Sequence, residues 1–246
     1  MDLRIRPQRS CFLPKLGCSL KSELAVGVDR KIPLVVLAFL SGTLSLLLLL
    51  ASLQPPPVTP AQQLLFAASH QGAYGLFASL VLAWSVFSIP LAVTIATLLR
   101  AKSGTLALAA QLLVAIGVLL LSFGIFMHIG ALLSIVAAGA PPHAEDATYQ
   151  AAIWSSLSFY LTDPGLMAWG LGQFLFGWLA WRSGVLPNWV AVVGMIGGVA
   201  GLLTLAVYQT GVLAIVQILC FAVWGFASGF SLLRGQAELA HRDVEV

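Results

Sequence analysis

The chain has 246 residues, 59% hydrophobic and only 9% charged, with twelve Lys and Arg against nine Asp and Glu for a formal net charge of +3. A soluble domain carries roughly 25% charged residues, so a water-covered surface is excluded and the chain is expected to face lipid as one polytopic bundle. Mean hydropathy is +0.97; in such a chain the basic residues report topology and do not indicate nucleic acid.

Residues 1–32 contain Arg4, Arg6, Arg9, Lys15, Lys21, Arg30 and Lys31. No apolar core interrupts them, so they read as a basic, disordered cytoplasmic tail that meets anionic lipid headgroups. A long signal peptide with Pro33–Ala51 as its apolar region is the alternative, and that run exceeds the roughly 7–15 residues expected of one. Cys11 and Cys18 lie in this tail and Cys220 in an apolar run. No disulfide framework is expected, and no partner residues stand at zinc-ligand spacing.

The first span is expected over about 33–53, including "LSLLLLLASL", and "QPPPVTP" (Gln54–Pro60) stops it. About 20 apolar residues cross ~30 Å of hydrocarbon. "AQQLLFAASH" (residues 61–70) reads as a short interfacial helix or the foot of the next span. The second span, about 73–99, contains Pro90, which is expected to kink it. Arg100 and Lys102 end it. The third run, about 105–137, is longer than an upright crossing needs. It is either strongly tilted or ends near His128 and continues along the interface. "APPHAED" (Ala140–Asp146) follows.

"TDPGL" reads as the start of the fourth span, about 161–181, with Thr162 or Asp163 as cap and Pro164 in the first turn. "AAIWSSLSFYL" before it would then lie at the interface. The fifth span covers about 189–207, "YQTG" is a turn, and the sixth span covers about 212–233. A polar tail over 235–246 completes an all-α, six-span bundle occupying 33–234.

Six spans allow a strict check. With a cytoplasmic N-terminus, seven Lys and Arg lie in the tail, two after span two, one after span four and two at the C-terminus. All twelve fall on one side, which the positive-inside rule assigns to the cytoplasm. The expected topology is N-in/C-in, with Arg100, Lys102, Arg182 and Arg234 as anchors. "WRSGVLPNW" (Trp181–Trp189) is then a cytoplasmic turn. Arg182 lies in headgroups, Trp181 and Trp189 occupy the interfacial belt, Gly184 ends one helix and Pro187 helps begin the next. A substrate-binding role for Arg182 is the rival reading.

A helix ending in an aromatic residue, then "RSGVLPNW", then the glycine-rich "VAVVGMIGGVAGLL" resembles domain-of-unknown-function family 4386. The resemblance is closest over about residues 170–203. It implies an integral, multi-pass membrane protein of the bacterial inner membrane and supplies no catalytic residues. The long basic N-terminal segment departs from that pattern.

Gly194 and Gly198, Gly197 and Gly201, and Gly225 and Gly229 are each four apart, a spacing that lets helices approach closely in lipid. Packing within one chain and homodimerisation through span five are the two readings. Gln111, Gln173 and Gln217 are expected to face the bundle interior. No carboxylate, Lys or Arg lies near any midplane, which disfavours ion-coupled transport. "GLGQFLFG" (Gly170–Gly177) is helix interior, not a nucleotide loop. His70, His128 and Asp163, with His143, Glu145 and Asp146 nearby, form an outer cluster with the residue types of a metal site. The rival is a helix cap and interfacial histidines. No HExxH, GxSxG or P-loop occurs, and no cofactor is expected. A hairpin duplication is faintly suggested by the similar outer loops after spans one and three.

The expected function is a non-enzymatic structural, regulatory or lipid-interacting membrane component. A permease for a small neutral or apolar solute would need a polar cavity at Gln111, Gln173 or Gln217. An outer-leaflet metal-dependent hydrolase would need His70, His128 and Asp163 to converge.

Overall fold

The computed structural model describes residues 35–50, 59–100, 103–139, 141–142, 144–204 and 211–244. The basic tail, Lys102, His143, residues 208–210 and the side chain of Arg234 lie outside that description. The described residues are helical: α1 (Val35–Leu50), α2 (Pro60–Ser69), α3 (Gln71–Leu99), α4 (Gly104–Ala137), α5 (Glu145–Ser183), α6 (Asn188–Leu203) and α7 (Gly211–Val244). Gln71–Thr97, Gly104–Ala137 and Val212–Phe230 are long and apolar enough to cross a membrane, and α1 and α6 are shorter apolar helices.

The six longer helices form a closed antiparallel ring. Ser41 and Ser45 on α1 meet Ser88 and Trp84 on α3 in reversed order. Ser85 on α3 bonds Ser122 on α4. On α5, Gly165 meets Gly117 of α4, and Gly170 meets Gly198 of α6. Gly194, Gly197 and Gly201 on α6 meet Trp224, Cys220 and Gln217 on α7, and Gly225 on α7 returns to Ala38 and Gly42 on α1. Arg100 and Arg182, at the C-terminal ends of α3 and α5, therefore share one end of the ring.

The most extensive helix pairing is α4 with α5, and a seven-residue repeat of small residues brings the two together. Ala110, Gly117 and Gly124 on α4 face Ala151, Ser158, Gly165 and Gly172 on α5, all buried. A heptad repeat keeps a seam facing its partner along a left-handed pair, and small residues let the backbones touch. A Cβ on Gly165 would stand 2.7 Å from Leu121 N and 3.0 Å from Gly117 O.

One expectation changes. The fourth helix does not start at Asp163: α5 runs unbroken for 39 residues through Pro164. Pro164 is exposed, and Ser158 and Gly165 are buried on either side of it, so tertiary packing holds the helix across the lost backbone donor. The third run is one 34-residue helix that continues past His128. At the C-terminus, α7 continues to Val244, so residues 235–244 are helical. The turn after α5 agrees with its reading. Gly184 takes the left-handed cap conformation (φ 66°) that L side chains resist. Pro187 is the N-cap of α6, and Trp181 and Trp189 are 55% and 57% exposed.

At the opposite end, α2 lies against α4 and α5. "TPAQ" starts it as a capping box: Thr59 N donates to Gln62 Oε1 (3.2 Å) and Gln62 N to Thr59 Oγ1 (3.3 Å), with Pro60 at the first position. Leu64 and Ala67 bury against Leu132, Ile135, Ala147 and Ala151.

Candidate functional site

The centre of the ring is aromatic. Trp84 and Trp169 meet edge to face at 5.0 Å, and Trp169 and Phe221 at 5.1 Å. Phe176 stacks on Trp224 at 6.2 Å. Such pairs prefer offset or edge-to-face contact, and here they join α3, α5 and α7. Trp84 Nε1 donates to Ser45 Oγ at 2.9 Å.

Polar groups border this core. Gln173 is fully buried, and neither amide atom has a hydrogen-bond partner among the described residues. Gln217 Nε2 donates to the Leu166 carbonyl at 3.2 Å, while its Oε1 has no partner. Trp169 Nε1, Trp224 Nε1, Ser228 Oγ and Gln111 Oε1 are likewise buried without one. A cavity of about 10 Å³, room for roughly one water, is lined by Ser88, Leu91, Val114, Gln173, Phe176 and Trp224.

The glycines of α6 and the two glutamines form one unit. A Cβ on Gly197 would lie 2.5 Å from Gln173 Nε2, and one on Gly201 2.6 Å from the Gln217 amide. The absent side chains of α6 are the space these amides occupy. Gly198 and Gly194 face Phe174 and Trp224, and Gly225 and Gly229 face α1. All six spaced glycines therefore pack within the chain.

The outer cluster separates in space. His70 lies at the α2–α3 junction, stacked on Phe66 at 4.3 Å and bonded to Ser69 Oγ at 2.8 Å. His128 of α4 meets Ser155 of α5 at 3.4 Å, and Ser155 Oγ donates to Gln63 Oε1 of α2 at 3.0 Å. Asp163 lies two turns further along α5. Among the described residues no group of three or more His, Cys, Asp and Glu is placed to hold a metal. The link Gln63–Ser155–His128 instead fastens α2 to the α4–α5 pair. Sequence reasoning missed Ser155, Gln63 and the interhelical serines 41, 85, 88 and 122. Their signal was the i, i+3 and i, i+4 spacing of hydroxyls within apolar runs.

A family model described as Domain of unknown function (DUF4386) matches residues 34–235, well beyond the stretch that carries the closest resemblance. No curated protein and no solved structure matches the chain.

Proposed function

The chain belongs to the domain of unknown function 4386 family, and from that premise we propose a six-span inner-membrane protein with both termini cytoplasmic. It acts as a non-enzymatic, lipid-interacting component of that membrane. One observation carries this reading: the ring encloses packed aromatic side chains and turns apolar ones outward on every helix. Leu40, Leu82, Leu112, Leu171, Ile196 and Leu219, one from each ring helix, are all exposed. Hydrocarbon is the solvent such a surface requires. Arg100 and Arg182 at one end support a cytoplasmic assignment for that end.

A second reading rests on Gln173. A fully buried amide without partners among the described residues is costly, and a permease for a small neutral solute would use such a group in an open state. Thermal unfolding separates the two readings. Delipidated protein is heated in detergent with and without returned phospholipid, and the same protein in liposomes is assayed for urea flux. The lipid-interacting role predicts a midpoint raised by lipid and flux no faster than through protein-free vesicles. An unchanged midpoint together with extraction of the protein from membranes by alkaline carbonate overturns it, and protein-dependent urea flux transfers the assignment to the permease.

A further inference from the structure

The cavity of about 10 Å³ inside the ring has polar groups on two of its walls. Its lining comes from α3, α4, α5 and α7, with no residue of α6. Ser88 of α3 and Gln173 of α5 both line it, and both are fully buried. Neither atom of the Gln173 amide has a partner among the described residues. A Cβ on Gly197 would lie 2.5 Å from Gln173 Nε2, so that end of the amide is turned to α6. Oε1 is left as the end free to meet a cavity that α6 does not line.

Ser88 supplies the complement. Its Oγ lies 2.9 Å from Ser41 Oγ of α1. Two hydroxyls own two hydrogens, and the bond between them uses one. When Ser41 donates to Ser88, the Ser88 hydrogen is the one left over. An O–H in need of an acceptor and a carbonyl oxygen in need of a donor thus border the same small space. One water molecule answers both, because it accepts and donates at once, and the cavity is room for roughly one. Immobilising a water costs less than leaving buried groups of this kind unpaired.

We propose that one water molecule is bound in this cavity, accepting from the Ser88 hydroxyl and donating to Gln173 Oε1. It completes a chain from Ser41 through Ser88 and the water to Gln173, which ties α1 and α3 to α5, a helix that is not their neighbour in the ring. Gln173 Nε2 stays against Gly197 without a partner, so the amide still weakens the core. Ser88 lies twelve residues before Arg100 and Gln173 nine before Arg182, about 18 and 14 Å along their helices. The site is therefore deep in the ring, and it does not depend on what the outer surface meets.

The test uses the full-length protein in detergent, mixed with oxygen-18 water and exposed to short X-ray pulses, with oxidised side chains mapped by mass spectrometry. Hydroxyl radicals formed from a bound water attack the side chains around it, here Phe176, Phe221 and Trp224, which are buried from bulk solvent. The exposed Trp181 and Trp189 report the dose. Wild type is compared with Ser88→Ala and Gln173→Leu, each of which removes one partner of the water. Wild-type Phe176 and Trp224 are expected to be oxidised, and a variant lowers those rates about tenfold, equivalent to about 1.4 kcal/mol of water binding. Unfolding would expose the rings and raise their rates, so it cannot imitate that fall. Phe176 and Trp224 left unoxidised in wild type overturn the proposal whatever the variants do. Rates unchanged or raised in both variants overturn it too.

Discussion

Gly165→Ala and Gly130→Ala put the same methyl group on two helix-interior glycines of the α4–α5 pair, one in the seam and one outside it. Each gains about 1 kcal/mol of helix propensity, so that gain cancels when the variants are compared with each other. At Gly130 the methyl meets nothing within 4 Å, whereas at Gly165 it meets Leu121 N at 2.7 Å and Gly117 O at 3.0 Å. Both are backbone atoms with no rotamer to yield. Ordinary contact begins at 3.4 Å, so the helices must separate along a seam in which every seventh residue is small. Overpacking of this kind costs about 1–3 kcal/mol. At about 2–4 °C per kcal/mol for chains of 150–250 residues, Gly165→Ala unfolds several degrees below Gly130→Ala in the same detergent. Circular dichroism during heating reads both midpoints. Equal midpoints, or a lower one for Gly130→Ala, would refute the seam as the source of close packing.

Gln173→Leu removes two buried amide atoms that have no partner among the described residues and is expected to raise stability by about 1–3 kcal/mol; a drop in the unfolding midpoint would mean the amide is satisfied by a group outside them. Ser155→Ala cuts the link from Gln63 to His128 at a cost of about 1 kcal/mol. The loss is local, so amide exchange quickens across α2, and unaltered exchange there counts against the fastening role. For topology, Asp146→Cys and Val185→Cys are compared in a background with Cys11, Cys18 and Cys220 replaced. A membrane-impermeant maleimide should label Asp146→Cys in intact spheroplasts and Val185→Cys only after permeabilisation, and the reverse order would overturn the N-in/C-in assignment.

The parts of this fold that were legible in the sequence were set by composition and local rules. Apolar runs longer than any soluble helix needs marked the helices, and the glycine and proline of "WRSGVLPNW" marked a turn through their own backbone preferences. The spacing of Gly194, Gly197, Gly198 and Gly201 announced close packing, but it did not say that two glutamines fill the space. That pairing joins α5, α6 and α7, so no single-helix pattern contains it. Pro164 misled for a related reason. "TDPGL" satisfies the local grammar of a helix start, and the contacts that carry α5 through it come from α4, some 40 residues earlier in the chain. The heptad of small residues was readable in principle. It was missed because Ala, Ser and Gly share the repeat, and only the glycines drew notice. His70, His128 and Asp163 were expected together because Asp163 was read as a helix start; with α5 unbroken, Asp163 falls at the middle of that helix, two turns from the Ser155 that His128 meets.

The unbroken course of α5 has a mechanical consequence. A helix beginning at Asp163 would have left residues 145–161 as a separate element, free to shift against the core. Instead Trp154 and the buried Gln173 stand on one helix, 19 residues apart and about 28 Å along it. The same helix packs against α4 through Gly165 and Gly172 and against α6 through Gly170 and Gly177. It cannot slide at one end without disturbing both seams. Packed cores of this kind switch between discrete arrangements and do not deform continuously. Gln173 and Gln217 weaken the core at the level where hydrocarbon makes an unpaired amide most costly. Locally inconsistent residues of this sort concentrate where a protein does its work. The two amides mark where a shift of α5 would first change which polar groups are satisfied.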